Sequence, residues 1–154
     1  MIRQAERKDA QRILALLVEV GNVHADLRPD LFIHEKTKYG EQELLAVIED
    51  SNRPIFVYTD DSDTVCGYAF CVLQESSGNN LVSHKSIYID DICVGEAYRK
   101  QHIGKALYEY VLSYAKEVGC YNITLNVWEG NEPARRFYEN CGLKPQKTTL
   151  EVLL

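Results

Sequence analysis

The spacing of apolar residues changes period several times along the chain, and each change predicts an element. Ile2 to Gln4 reads as a short strand. Ala10, Ile13, Leu16, Leu17 and Val20 then recur at helical spacing until Gly21. From Asn22 to Gly40 the pattern is irregular and includes Pro29, and so long a connection is a candidate substrate-binding loop. Leu44, Leu45 and Ile48 line one side of a short helix. From Pro54 onward the runs IFVYTDD, TVCGYAFCVLQ and HKSIYIDDICV are β-branched and aromatic, interrupted at Asp60 to Asp63 and at Glu75 to Ser83. Three consecutive antiparallel strands are predicted. Ile103, Ala106, Leu107, Tyr110, Val111, Tyr114 and Val118 form the strongest helical stripe, opening near Gly104 and closing at Gly119. NITLNVW predicts a strand, Ala134, Phe137, Tyr138 and Cys141 a helix ending at Gly142, and TTLEVLL a last strand. The fold class is α+β, a single mixed sheet with helices on both faces. No repeat, linker or low-complexity tract divides residues 1–154, so one domain is expected.

Composition narrows the function classes. With 45% hydrophobic and 26% charged residues, the 154-residue chain can build a core and is not of disordered type. A net charge of -6 argues against broad nucleic-acid or membrane-surface binding, so partners should be small or cationic. No run approaches the roughly 18 apolar residues of a membrane span, and MIRQAERKDAQ has no signal-peptide core. A cytoplasmic location is expected. The five cysteines, Cys66, Cys71, Cys93, Cys120 and Cys141, form no CxxC pair and lie in apolar patterns, which predicts buried thiols. His24, His34, His84 and His102 show no i,i+4 pairing, so no metal is expected.

The segment IYIDDICVGEAYRKQHIGKALYEYVLSYAKEVG puts a basic, glycine-containing loop between a strand and a long helix. Such a helix start offers unpaired N–H groups and the positive end of the macrodipole, and Gly104 lets an anion approach closely. Arg99, Lys100 and Lys105 add positive charge on an acidic chain. The loop lacks the second glycine and the Ser/Thr of G-x-x-x-x-G-K-[ST], and it is not G-x-G-x-x-G. Instead Gln101-His102-Ile103-Gly104-Lys105-Ala106 resembles the Q/R-x-x-G-x-G/A pyrophosphate motif of the GNAT acetyltransferase superfamily, preceded by a strand ending in an L-x-V-type segment. Downstream, Asn131-Glu132-Pro133-Ala134-Arg135-Arg136-Phe137-Tyr138-Glu139-Asn140-Cys141-Gly142-Leu143 is similar to that family's N-x-x-A-x-x-F-Y-x-x-x-G-F. The resemblance runs from about Ile87 to Leu143 and is matched only in element order before it.

The resemblance implies a mostly antiparallel sheet with a splay between the fourth and fifth strands, and acetyl-CoA as cosubstrate with no metal. It implies that Ile92, Cys93 and Val94 form the strand edge that pairs with pantetheine. The pyrophosphate would lie on the N–H groups from Gln101 to Ala106, beside Arg99 and Lys100. Asn131, Ala134 and Tyr138 would border the pantetheine arm. Tyr138 corresponds to the family's general acid, although its place on an apolar face also suits a core aromatic. Asp90 and Asp91 are adjacent carboxylates in an apolar strand, and strict alternation sends them to opposite faces. By resemblance to diamine and polyamine acetyltransferases, Asp90 attracts an ammonium and takes its proton; Asp91 or a water remains the alternative base. Where members that acetylate protein N-termini use a Glu on the fifth strand, this chain has Asn126. Cys93 reads as a small packed residue rather than a nucleophile, and His102 as part of the phosphate loop. Trp128 suits either an acceptor-site wall or the core.

The function implied is acetyl transfer from acetyl-CoA to a primary amine by direct attack in a ternary complex, with a small cationic amine as acceptor. The alternatives are a non-catalytic acyl-CoA-binding regulatory domain and an acetyltransferase for protein N-termini or lysines. A free terminal strand, TTLEVLL, could support a homodimer.

Overall fold

The computed structural model describes residues 1–154. Its elements follow in the order β1 (Ile2–Gln4), α1 (Ala10–Leu27), α2 (Glu41–Ile48), β2 (Ile55–Thr59), β3 (Val65–Gly78), β4 (Leu81–Val94), α3 (Ile103–Glu117), β5 (Asn122–Leu125) and α4 (Glu132–Asn140). The strands form one sheet in sequence order, antiparallel throughout except for the parallel pair β4–β5. On one face α1 and α2 bring Ile13, Leu16, Leu17, Leu44 and Val47 against Ile55, Val57, Tyr68 and Phe70. On the other, Leu107, Val111 and Ala115 of α3 cover Phe56, Ala69, Cys71, Ile87 and Ile89. Ile55, Phe56 and Val57 are consecutive and all buried, so the unbroken apolar run of β2 reflects a strand covered on both sides.

Four sequence expectations change. α1 continues through Gly21, where the spacing predicts its end. A glycine inside a helix costs about 1 kcal/mol against alanine, and the extension is held by complete burial of Ala25. A β-carbon at position 21 would stand 3.0 Å from Lys36 O, so this glycine allows the next segment to pass close by. Asn22 and Glu35 exchange hydrogen bonds of 2.6 and 2.8 Å that dock that segment on the helix. The irregular connection therefore shortens to 28–40.

β3 and β4 are each 14 residues long, and pairing continues across the predicted break from Glu75 to Ser83. Much of that outer hairpin is exposed, so its ladder needs no apolar alternation, and Glu75 faces Lys85 across it. TTLEVLL, by contrast, is not a strand. Residues 144–154 have no regular structure, and Leu150, Val152, Leu153 and Leu154 are exposed. A β pattern forms a strand only where a neighbour satisfies its backbone, and within the chain the tail's one side-chain tie is the Arg28–Glu151 ion pair. Finally, Cys66, Cys71 and Cys93 are buried as expected, but Cys120 and Cys141 are only half-buried, because they lie just past the ends of α3 and α4. No helix is long and apolar enough to cross a membrane.

Candidate active site

The site begins with an extra residue in β4. Phe70 pairs with Asp91, but the next residue, Cys71, pairs with Ile89, so Asp90 is inserted as a β-bulge. Ile87, Ile89, Ile92 and Val94 all pack on the α3 side, while Cys93 packs with α1. The bulge thus overturns strict alternation and sends Asp90 and Asp91 to the same face, the one covered by α1 and α2. Tyr68 OH donates to Asp91 Oδ2 at 2.6 Å, and Lys38 Nζ donates to Asp90 Oδ2 at 2.9 Å. Burial pushes the Asp91 carboxyl up to about 6; the Tyr68 hydrogen bond opposes this and the neighbouring Asp90 charge adds to it. Burial also lowers the pKa of His24, an effect that the charge of Asp90 partly offsets.

β5 leaves β4 at the same point. Their pairing ends at Ile89 with Leu125, so the edge of β4 from Asp90 to Val94 has no strand beside it. Asn126, just past β5, donates to Tyr88 OH at 3.2 Å across the opening. Asn131 caps α4 by accepting from Ala134 N at 3.4 Å, with Pro133 in the first turn. That bond occupies the Asn131 oxygen and leaves its amide N–H groups free. Tyr138 projects from α4. Its hydroxyl makes no hydrogen bond within the chain, and since no fully buried side-chain polar atom lacks a partner, it reaches open space. Burial raises its pKa and the nearby charge of Asp91 raises it further, so the phenol keeps its proton at neutral pH.

The third component is the start of α3. Lys100 and His102 have φ of 64° and 60°, a left-handed conformation that costs a non-glycine residue about 1–2 kcal/mol. Successive N–H groups in such a turn converge to form an anion-binding concavity. No side chain caps α3, and its first internal bond runs from Ala106 N to His102 O, so the N–H groups of Gln101 to Lys105 have no acceptor. Ala106, expected among the pyrophosphate donors, is therefore already engaged.

A cavity of about 400 Å³ opens in front of these groups, bounded on the far side by Phe137, Asn140 and Cys141 of the α4 region. Val94, Arg99, Lys100, His102, Ile103, Gly104 and Lys105 line its near side. A β-carbon at Gly104 would make only ordinary contacts, 3.5 Å to Phe137 and 3.7 Å to Val94. Contacts of the β-carbon alone therefore do not require glycine there.

The remaining predicted residues lie outside this cavity. Gln101 is exposed; Ile92 packs its side chain into the α3 core; the Cys93 thiol is buried 3.7 Å from Leu16 O, and burial pushes it up to about 12. Ile92 and Cys93 can therefore offer a ligand only their backbone. Ala134 and Asn131 begin α4 on the other lip of the splay. Arg99, which does line the cavity, is partly committed, with Nε donating to Val94 O at 3.3 Å and Nη2 4.0 Å from Glu19. Trp128 is exposed, edge-on to Phe32 at 5.6 Å with Arg28 above its ring, so it belongs to a rim cluster and not to the core.

Sequence reasoning missed Tyr98, Phe137, Asn140 and Cys141 as cavity walls, and it missed Lys38. Phe137 was within reach as a neighbour of Tyr138 in the same motif. Lys38 had no signal, since it is 52 residues from Asp90 and lies in an irregular segment.

The arrangement combines unpaired N–H groups for a polyphosphate, a free strand edge for amides, two carboxylates and a protonated phenol. Comparisons with known proteins bear on what it does. The model of the acetyltransferase (GNAT) family matches residues 18–143. A glucosamine 6-phosphate N-acetyltransferase of Arabidopsis thaliana is 25% identical over 138 residues, covering 90% of this chain and 83% of that protein. A crystal structure of a mutant of the BH1408 protein from Bacillus halodurans superposes with a TM-score of 0.95 at 27% identity, over 100% of this chain and 99% of that one. An aminoglycoside N-acetyltransferase, AAC(6')-Iy, solved with CoA, shares the fold at 14% identity and a TM-score of 0.72, over 100% of this chain and 98% of that one.

Proposed function

The chain belongs to the GNAT acetyltransferase family, and on that premise we propose that it acetylates a small cationic primary amine by direct attack in a ternary complex. As an acetyl-CoA-dependent N-acetyltransferase it must hold a polyanionic cosubstrate, orient an amine, remove one proton from it and return one to the leaving sulfur. Acetyl-CoA, when bound, supplies the activated acyl group. The N–H groups of Gln101 to Lys105 hold its pyrophosphate, helped by Lys100, Lys105 and the remaining donors of Arg99. The free edge of β4 at Ile92 to Val94 pairs with its amides, opposite Asn131 and Ala134.

Asp90 meets the acceptor's ammonium and takes its proton directly or through water. Asp91, held by Tyr68, keeps a second negative charge on the same face whenever the pH exceeds about 6. Tyr138 donates its proton to the departing thiolate. The raised pKa keeps the phenol protonated near neutrality, so the proton is in place when the thiolate departs. The observation that most supports this reading is the bulge, which puts two carboxylates on one face beside the splay that Tyr138 borders. The proposal extends to a homodimer in which the exposed tail finds its partner strand.

The test is thiol release from acetyl-CoA across diamines, polyamines, amino acids, aminoglycosides, glucosamine 6-phosphate and short peptides, beside calorimetric titration of acetyl-CoA. Turnover confined to cationic amines is expected. Turnover on glucosamine 6-phosphate or peptides alone would replace the acceptor class, and tight binding without any turnover would favour a regulatory domain.

A further inference from the structure

Lys38 comes from the irregular connection between α1 and α2, yet its ammonium lies 2.9 Å from Asp90 Oδ2. The contact is built rather than incidental. The Lys38 ammonium also sits 5.4 Å from the centroid of the Tyr39 ring, and Tyr39 stacks on Phe70 at 6.0 Å with an interplanar angle of 11°. Phe70 in turn pairs with Asp91 across β3 and β4, so stacked rings carry this lysine to the bulge. Thr37 Oγ1 donates to Tyr39 O at 2.6 Å and fixes the turn between them. Among the lysines, only Lys38 has its Nζ on a β4 carboxylate; Lys8 pairs with Asp63 and Lys105 with Glu109. The chain's own primary amine therefore occupies the place assigned above to the acceptor.

We propose that Lys38 is an acceptor for its own chain: with acetyl-CoA bound and no amine present, the acetyl group is transferred to Lys38 Nζ. This rests on the roles given above to Asp90 and Tyr138. The lysine ammonium gives one proton to the Asp90 carboxylate, and the neutral nitrogen attacks the thioester carbon. A C–N bond forms and the C–S bond breaks; the sulfur leaves with the bonding pair and takes the Tyr138 proton, which the phenolate regains from Asp90. The products are acetyl-lysine and CoA thiol, and the second ammonium proton passes to solvent. Acetyl-Lys38 is neutral and cannot hold the ion pair, so Asp90 becomes free for the next ammonium.

The test uses the intact chain with isotopically labelled acetyl-CoA and no acceptor, followed by intact-mass and peptide-mapping spectrometry at several protein concentrations. One acetyl group on Lys38 is expected, appearing at a first-order rate independent of protein concentration. The rate should fall about a hundredfold in Tyr138→Phe, and Lys38→Arg, which keeps the cation, should take no label at this position. Label spread evenly over exposed lysines, a rate proportional to protein concentration, or a rate indifferent to Tyr138→Phe would each overturn the proposal. No label in a preparation that acetylates an added amine overturns it alone. No label and no turnover on any amine would remove the catalytic reading with it.

Discussion

Tyr138 combines a packed ring with a hydroxyl that has no partner in the chain. Its ring stacks edge-on against Phe137 at 5.0 Å while its hydroxyl stays unpartnered, and burial holds its proton. Tyr138→Phe keeps the ring and removes the proposed acid, so kcat should fall about 10²-fold or more while calorimetry shows unchanged acetyl-CoA affinity. An unchanged kcat would leave Tyr138 as a packing residue. Asp91 carries a stability effect of definite sign. Folding raises its carboxyl from an ordinary 3.8 to about 6, so the folded state binds this proton more tightly than the unfolded chain does. Its contribution is therefore least unfavourable below pH 4, worsens as pH rises through 6, and at neutral pH costs roughly 2–3 kcal/mol. Asp91→Asn still accepts the Tyr68 hydrogen bond, so urea unfolding should find the variant more stable at pH 7.5 and nearly equal to the parent at pH 4. A parent stability that rose between those limits, with the variant weaker, would contradict this. Neither effect follows from residue type, since Asp90, one position away, is half-exposed and paired with Lys38.

Among the elements, the start of α3 was the most legible, because strand, basic loop, glycine and helical stripe are contiguous and local sterics determine the turn. Its geometry separates binding from folding at Gly104. A β-carbon there meets Phe137 and Val94 at ordinary distance, and an acidic residue in the first turn of a helix is favoured by the macrodipole. Gly104→Asp should therefore keep or slightly raise Tm while abolishing acetyl-CoA binding by bulk and repulsion; normal binding would sink the assignment of this loop to the pyrophosphate. β4 was less legible. Its composition announces a strand, but a bulge is a matter of register between two strands, and IYIDDICV reads the same with or without one. The end of α1 is illegible in the sequence for a similar reason. Gly21 looks like a stop until the chain at Lys36 is seen passing 3.0 Å from where its β-carbon would be.

At the scale of the whole molecule, the tail leaves apolar surface uncovered. Four large apolar side chains between Leu150 and Leu154 stand in water, while β5 has only β4 beside it and an open outer edge. A dimer in which tails complete one another's sheets would cover both. Light scattering should find two chains per particle, and truncation after Lys144 should give a monomer; a monomeric parent would end the proposal. Contiguous patterns decided the element types, their order, and the spacing that marks the α3 loop and the α4 motif, because helix and strand periods and helix starts are set within a few residues. The tertiary structure alone decided that Asp90 and Asp91 share a face, that Lys38 reaches Asp90 across 52 residues, and that TTLEVLL pairs with no strand of its own chain. Those outcomes depend on register and on contacts between distant segments, each the sum of many weak terms spread over the fold, and no stretch of sequence holds that sum.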